Sequence, residues 1–168
     1  MAYDAFMWFK GGTPESKGET TDKVYKDKSA FEIYSFSWGA SNPVTIGSQS
    51  GGGGGGKVNM SSFNIMKKFD SVSPTAFLNC CKGTHYDEAH VVLRKAGGTA
   101  MEYLTLDFEE VFVESIQWSG SAGGDEVPTE SVSFAFGKVD MKYTPQKGKG
   151  EAGTPVPASW DVRINVDK

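Results

Sequence analysis

Seven or more stretches of this chain read as strands separated by turn signals at short spacing, and one stretch alone carries helix signals. That imbalance confines the fold to a β-architecture. In Tyr3–Lys10 (YDAFMWFK), Tyr3, Ala5, Met7 and Phe9 alternate with Asp4, Phe6, Trp8 and Lys10. Both sets hold large apolar side chains, so both faces should be covered. AFEIYSFSWG reads as a second strand, with Phe31, Ile33, Ser35 and Ser37 on one face and Glu32, Tyr34, Phe36 and Trp38 on the other. HVVLRK, a Gly97-Gly98 turn and AMEYLTLDFEEVFVESIQW form a hairpin followed by a further strand. SVSFAFGKVDMKYTP is a long strand whose facing parity changes at Gly137, the mark of a bulge. SWDVRINV is the last strand, with Trp160, Val162, Ile164 and Val166 on one face. The helix lies in DSVSPTAFLNCCKG: Ser73 as N-cap, Pro74 at the first helical position, Lys82 in the last turn and Gly83 ending it. Phe77, Cys80 and Cys81 form the stripe expected to pack on a sheet. Strands at such short spacing predict a mainly β single domain over residues 1–168, a closed antiparallel barrel of two packed sheets with one short flanking helix.

The glycine run interrupts this pattern. SQSGGGGGGK places Gly51-x-x-x-x-Gly56-Lys57 in the spacing of a phosphate-binding loop, but Val58 stands where magnesium would need Ser or Thr. A polar, Pro43-broken segment precedes the run and an irregular strand follows it, where a phosphate loop needs a buried strand and a helix. Ordering six glycines costs roughly 6–12 kcal/mol, with no side chains there to offset it. The segment therefore reads as a loop that is mobile alone and ordered against a partner. As a coil, Gly47 to Gly56 would reach roughly 15–20 Å.

A chain of 168 residues can bury roughly two thirds of its unfolded surface, so it needs neither metal nor disulfide to fold. The net charge of −4 and the lack of a basic stripe argue against a nucleic-acid partner. No segment has the roughly 18 apolar residues of a membrane span. MAYDAFMWFKGG lacks the basic leader and apolar core of a signal peptide. Synthesis in the cytosol is expected, with export left open to a signal-free route.

Chemistry-bearing residues are sparse. Cys80 and Cys81 are adjacent, a spacing that strains a disulfide, and read as reduced thiols with at least one packed in the core. With His85 and His90 they make C-C-x3-H-x4-H, which matches no zinc spacing. Asp107, Glu109 and Glu110 read as a solvent-facing strand end. No cofactor, metal site or catalytic residue is expected.

Several segments taken in order resemble the haemolysin-coregulated protein (Hcp) family, the tube protein of the bacterial type VI secretion system. They are GETTDK (18–23), FSWG (36–39), GGGKVN (54–59), Ser73-Pro74, LRKAGG (93–98), EYL (102–104), PTESVSFAFGKV (128–139), YTPQK (143–147) and WDVRINV near the end. Ser159 before Trp160 and the extra residues in GGTPESKGET depart from the family pattern. The resemblance implies a barrel with a flanking helix, subunits joined into a homo-hexameric ring, rings stacked into a tube, and secretion without a cleaved signal peptide. Its implied partners are effector proteins in the channel and the spike and sheath components, with neither nucleic acid nor membrane insertion. It makes Gly39 to Lys57 the extended loop that reaches the adjacent ring, through Gly47, Ser48, Gln49, Ser50, Gly51, Gly52, Gly53, Gly54, Gly55 and Gly56, with Lys57 opening the next strand. Apolar residues on both faces of Tyr3–Lys10 would fill the barrel on one side and meet a neighbour on the other. Ser37, small and polar, is assigned to the channel wall. A monomeric barrel binding a small ligand or glycan is the alternative, and a cysteine-dependent enzyme a more distant one.

Overall fold

The computed structural model describes residues 3–45, 54–95, 100–124 and 126–167. Its strands are β1 (Tyr3–Lys10), β2 (Phe31–Glu32), β3 (Ser35–Ser37), β4 (Ala40–Ser41), β5 (Val44–Thr45), β6 (Gly54–Gly55), β7 (Asn59–Met60), β8 (Phe63–Lys68), β9 (His85–Lys95), β10 (Glu102–Ser119), β11 (Thr129–Tyr143) and β12 (Val156–Asp161), with helix α1 at Ser73–Lys82 between β8 and β9. Eight strands form one antiparallel sheet in the order β2-β1-β9-β10-β11-β8-β3, with β12 also paired to β11. In place of two packed sheets there is thus one sheet, curled into a half-barrel. Its first and last strands are consecutive in the chain. Between them the Ile33 amide donates to Ala5 O (3.0 Å) and the Tyr34 amide to Met66 O (2.8 Å).

This handover breaks the alternation expected for 31–38. Phe31 and Ile33 are buried, Tyr34 and Ser35 both face out, and Phe36 and Trp38 turn to the core. A second inversion occurs at Gly137, where the sequence implied a bulge. Pairing runs unshifted from Glu109↔Lys138 to Val111↔Phe136, and the slip lies between Val113 and Ser115. The inversion is shared by two strands: opposite Gly137, Glu110 adopts φ 55°, so both ribbons turn over together and Phe108 and Val111 both stay buried. A Cβ on Gly137 would stand 2.9 Å from Glu110 Oε2 and 3.0 Å from Arg163 Cδ. The last strand begins and ends earlier than expected. β12 stops at Asp161, and residues 162–165 turn back so that the Asp161 amide donates to Val166 O (2.9 Å).

The curled sheet wraps a core that includes Met7, Phe63, Tyr86, Phe108 and Phe134. The outward face of β1 is covered from within the chain rather than by a neighbour: Phe6 stacks on Tyr25 at 4.4 Å, and Trp8 and Val92 join the same cluster. Arg94 fastens this lid, donating to Asp4 (2.9 Å) and Asp22 (2.7 Å). Its guanidinium holds the Asp22 carboxyl below the usual range, because hydrogen bonding to the charged form favours it.

Helix α1 ends where expected, at the left-handed Gly83 cap (φ 63°), but its N-cap is Val72 and its stripe is different. Ser73, Ala76 and Asn79 are buried, whereas Phe77 is 43% exposed. Cys80 packs at the core margin and Cys81 is exposed, both as free thiols. Ser73 is recruited elsewhere. Lys67, 1% exposed, donates from Nζ to Glu130 Oε1 (2.7 Å), Asp70 Oδ1 (2.7 Å), Lys68 O (2.8 Å) and Ser73 Oγ (3.2 Å). Glu130, equally buried, accepts Trp118 Nε1 on its other oxygen (2.8 Å). Each charge in this knot has several partners, the condition for tolerating burial. No helix of the described residues is long and apolar enough to cross a membrane.

Candidate functional site

The segment after Trp38 leaves the sheet as a two-stranded ribbon. Gly39 N donates to Ser61 Oγ (2.8 Å) and Ser61 N to Gly39 O (2.9 Å), fixing its base. Above it β4 pairs with β7 (Ala40↔Met60, Ser41↔Asn59), and then β5 with β6 (Val44↔Gly55, Thr45↔Gly54). The register slips by one residue between the two ladders, around Asn42 and Pro43. There Gly56 N donates to Pro43 O (2.9 Å), and a Cβ on Gly56 would lie 2.8 Å from Pro43 Cγ. Only glycine fits that approach. The expectation of a free coil is therefore corrected for Gly54, Gly55 and Gly56, which belong to an ordered ribbon. Gly47, Ser48, Gln49, Ser50, Gly51, Gly52 and Gly53 lie outside the described residues. Lys57 is exposed and precedes β7 without belonging to it. The described residues after the run form strands β6 and β7, where a phosphate loop opens a helix.

Among the described residues, nothing in the ribbon forms a core. Ala40, Ser41, Pro43 and Gly56 are exposed, Val44 is 60% exposed, and Val58 and Met60 are half-buried. A two-stranded hairpin without a packed face is marginal in water.

Ser37 lies on the outer face of β3. It pairs with Asn64, which pairs with Ser133, which pairs with Ser115; one step along, Ser35, Met66, Ser131 and Gln117 align in the same way. Met66 apart, this stretch of wall is small and polar. Across β9 to β12 the outer face is instead charged. His90 lies with Nδ1 2.6 Å from Asp107 and Nε2 2.8 Å from Glu88. Lys138 bridges Glu109 (2.9 Å) and Asp140 (2.7 Å). Arg163 joins Asp161 (2.8 Å) to Glu110 (3.1 Å) and holds the Asp161 carboxyl well below the usual carboxylate range. Glu109 and Glu110 are thus mid-strand members of ion-pair ladders, and Asp107 lies mid-strand against the His90 ring, rather than at a free strand end. The sequence hid this, because cross-strand partners have no fixed spacing.

The thiols and histidines do not converge. Cys80 Sγ lies 3.8 Å from Glu114 O, His85 packs on the Phe112 ring (5.2 Å) and His90 stacks on Trp8 (5.0 Å). Among the described residues no group of three His, Cys, Asp or Glu could hold a metal.

A curled antiparallel sheet with one helix, a core-free ribbon and an outer face of ladders and small polar residues defines a β-structural protein built around surfaces. Comparison with known proteins makes this specific. The family model for the type VI secretion system effector Hcp matches residues 6–143, and the chain belongs to that family. Protein hcp1 of Pseudomonas aeruginosa is 39% identical over 112 residues, 66% of this chain and 68% of that protein. A solved type six secretion system protein superposes with TM-score 0.91 at 29% identity, over 99% of this chain and 100% of the other. Hcp1 from Salmonella typhimurium gives TM-score 0.80 at 29% identity, over the whole of both chains.

Proposed function

We propose that this chain is the structural subunit of a secreted type VI tube: six copies close a ring, rings stack, and effector proteins travel in the channel. Family membership carries the reading, and the ribbon supports it, since a projecting hairpin with no core of its own gains stability only against another molecule. A ring of identical subunits needs two unlike, complementary flanks on each. Closure of the curled sheet into a full barrel belongs to the same reading, with the Ile33 and Tyr34 amides stitching its first strand to its last. The small polar wall around Ser37 is assigned to the channel, where it would let cargo pass without adhering. Sheath and spike components are the outer partners, and the route out of the cytosol uses no cleaved signal.

Size-exclusion chromatography with light scattering tests the assembly. The ring reading expects about six times the 18.1 kDa chain mass or more. A particle near 18.1 kDa at every concentration would refute it and favour a monomeric ligand-binding barrel. For the channel, Ser37→Trp should lower effector levels in cells while leaving ring mass unchanged; undiminished effector would remove Ser37 from the wall.

A further inference from the structure

We propose that the exposed aromatic cluster of Phe69, Phe77 and Trp118 is the seat for the ribbon strands within residues 40–45 and 54–60 of a second copy of this chain, an inference that rests on the stacked-ring function above. Phe69 is 40%, Phe77 43% and Trp118 44% exposed. Their rings form one patch, with the Trp118 centroid 6.2 Å from Phe69 and 5.5 Å from Phe77. The indole is held in place: Nε1 donates to Glu130, whose other oxygen is bound by Lys67, and both of these residues are 1% exposed. A large aromatic side chain immobilised before contact loses little entropy on binding, which is the condition for an anchor residue.

Placement selects the occupant. Phe69 directly follows β8, its amide donating to Pro128 O (2.9 Å), and Trp118 pairs with Glu130 at the same end of the sheet. The ribbon's base, Gly39 and Ser61, lies just before the first residue of β8. Patch and ribbon therefore occupy opposite ends of one strand, about 20 Å apart along it. When identical units repeat head to tail, the feature at one end of each meets the feature at the other end of the next. Every chain carries one of each, so donors and seats match in number. The chemistry also matches: the ribbon brings Val44, Val58 and Met60 as apolar contacts. Lys57, the one charged residue between Glu32 and Lys67, adds a cation of the kind aromatic faces accept, as the Trp8 ring accepts Lys28 at 4.5 Å.

Two single variants of the full chain test this, Phe77→Ser in the patch and Val44→Ser in the ribbon. Both positions are exposed, and unchanged thermal unfolding verifies that each variant folds. By light scattering and negative-stain electron microscopy, each variant should keep the mass of the wild-type ring and lose stacked rings about tenfold. An equal mixture should form pairs of rings and no longer stacks, because Phe77→Ser rings offer an intact ribbon and Val44→Ser rings an intact patch. Wild-type stacking by Phe77→Ser rings, or a mixture that stays as single rings, overturns the inference. So does a Phe77→Ser protein that falls to single chains, which would place the patch between neighbours within a ring. Failure of the ring reading is distinct: wild-type protein would itself run as single chains, removing both claims.

Discussion

Along Phe63–Lys68 every second side chain is buried, ending in a lysine inside the protein, whereas Ala40, Ser41 and Val44 of the adjoining ribbon all remain in solvent. The two regions are joined at Ser61 and Ser62, and both are antiparallel ladders. Backbone hydrogen bonds alone do not distinguish them. What differs is side-chain burial, at roughly 25 cal/mol per Å² of apolar surface. The curled sheet carries its own stability and the ribbon, lacking a packed face, adds little to it, so changes in the ribbon should leave folding intact.

The largest effect should come from the buried knot. Lys67→Ala leaves Glu130 as an uncompensated buried carboxylate and should cost about 3–5 kcal/mol in urea unfolding. A loss under about 1 kcal/mol would mean that the pair does not fasten the sheet. Next comes the core beside it. Ile65, 1% exposed on β8, should cost about 2–5 kcal/mol on truncation to alanine through lost burial plus the cavity left behind. Both changes should lower stability and leave the ribbon's contacts chemically intact.

Acid should separate the regions more gently. Asp22 and Glu88 titrate below the ordinary carboxylate range, Asp22 chiefly through Arg94 and Glu88 chiefly through Lys10. A carboxylate depressed on folding stabilises above its unfolded pKa of about 4, and that stability disappears as pH falls through the lower folded value. Unfolding free energy should therefore decline below about pH 4, and Arg94→Ala should flatten part of that decline. An equally steep acid limb in the variant would show that the lid over Phe6 and Tyr25 is not held by charge.

Much of the sheet was readable in advance. β1 has the bounds its alternation implies, and both of its faces are buried. α1 ends where expected and begins one residue early, at Ser73, because Pro74 and Gly83 mark backbone requirements that local sequence displays. Its buried face was not legible. Periodicity detects apolar residues and therefore pointed to Phe77 and Cys81, while Ser73 is buried through hydrogen bonds from Lys67 and from the Asp70 amide (3.0 Å), partners that folding supplies. Lys67 itself, in NIMKKF, reads as a solvated charge, since nothing local announces Glu130, 63 residues away. The cover over β1 was misassigned to a neighbouring molecule for the same reason: Tyr25 comes from a polar stretch and acquires its role through the ring stack on Phe6. The ribbon was half legible. Its exposure follows from composition, but the ladder does not, since glycine favours no strand and the pairing of Val44 with Gly55 is set by the one-residue slip at Pro43, whose carbonyl accepts the Gly56 amide.

The smallest effect on folding should accompany the largest change in assembly. Deleting Gly51 to Gly56 removes one side of the upper ladder, Gly54 and Gly55, yet no buried residue of the curled sheet is lost. Unfolding free energy should stay within about 0.5 kcal/mol of the parent, the ordinary range for changes that leave the core intact. Rings should persist by light scattering, while end-to-end stacks fall sharply under the electron microscope. A large drop in unfolding free energy would mean that the ribbon folds back on its own sheet and contributes to it. Undiminished stacking would assign the longitudinal contact to the outer face of the curled sheet instead, where the ladders of Lys138 and Arg163 offer charge in place of apolar surface.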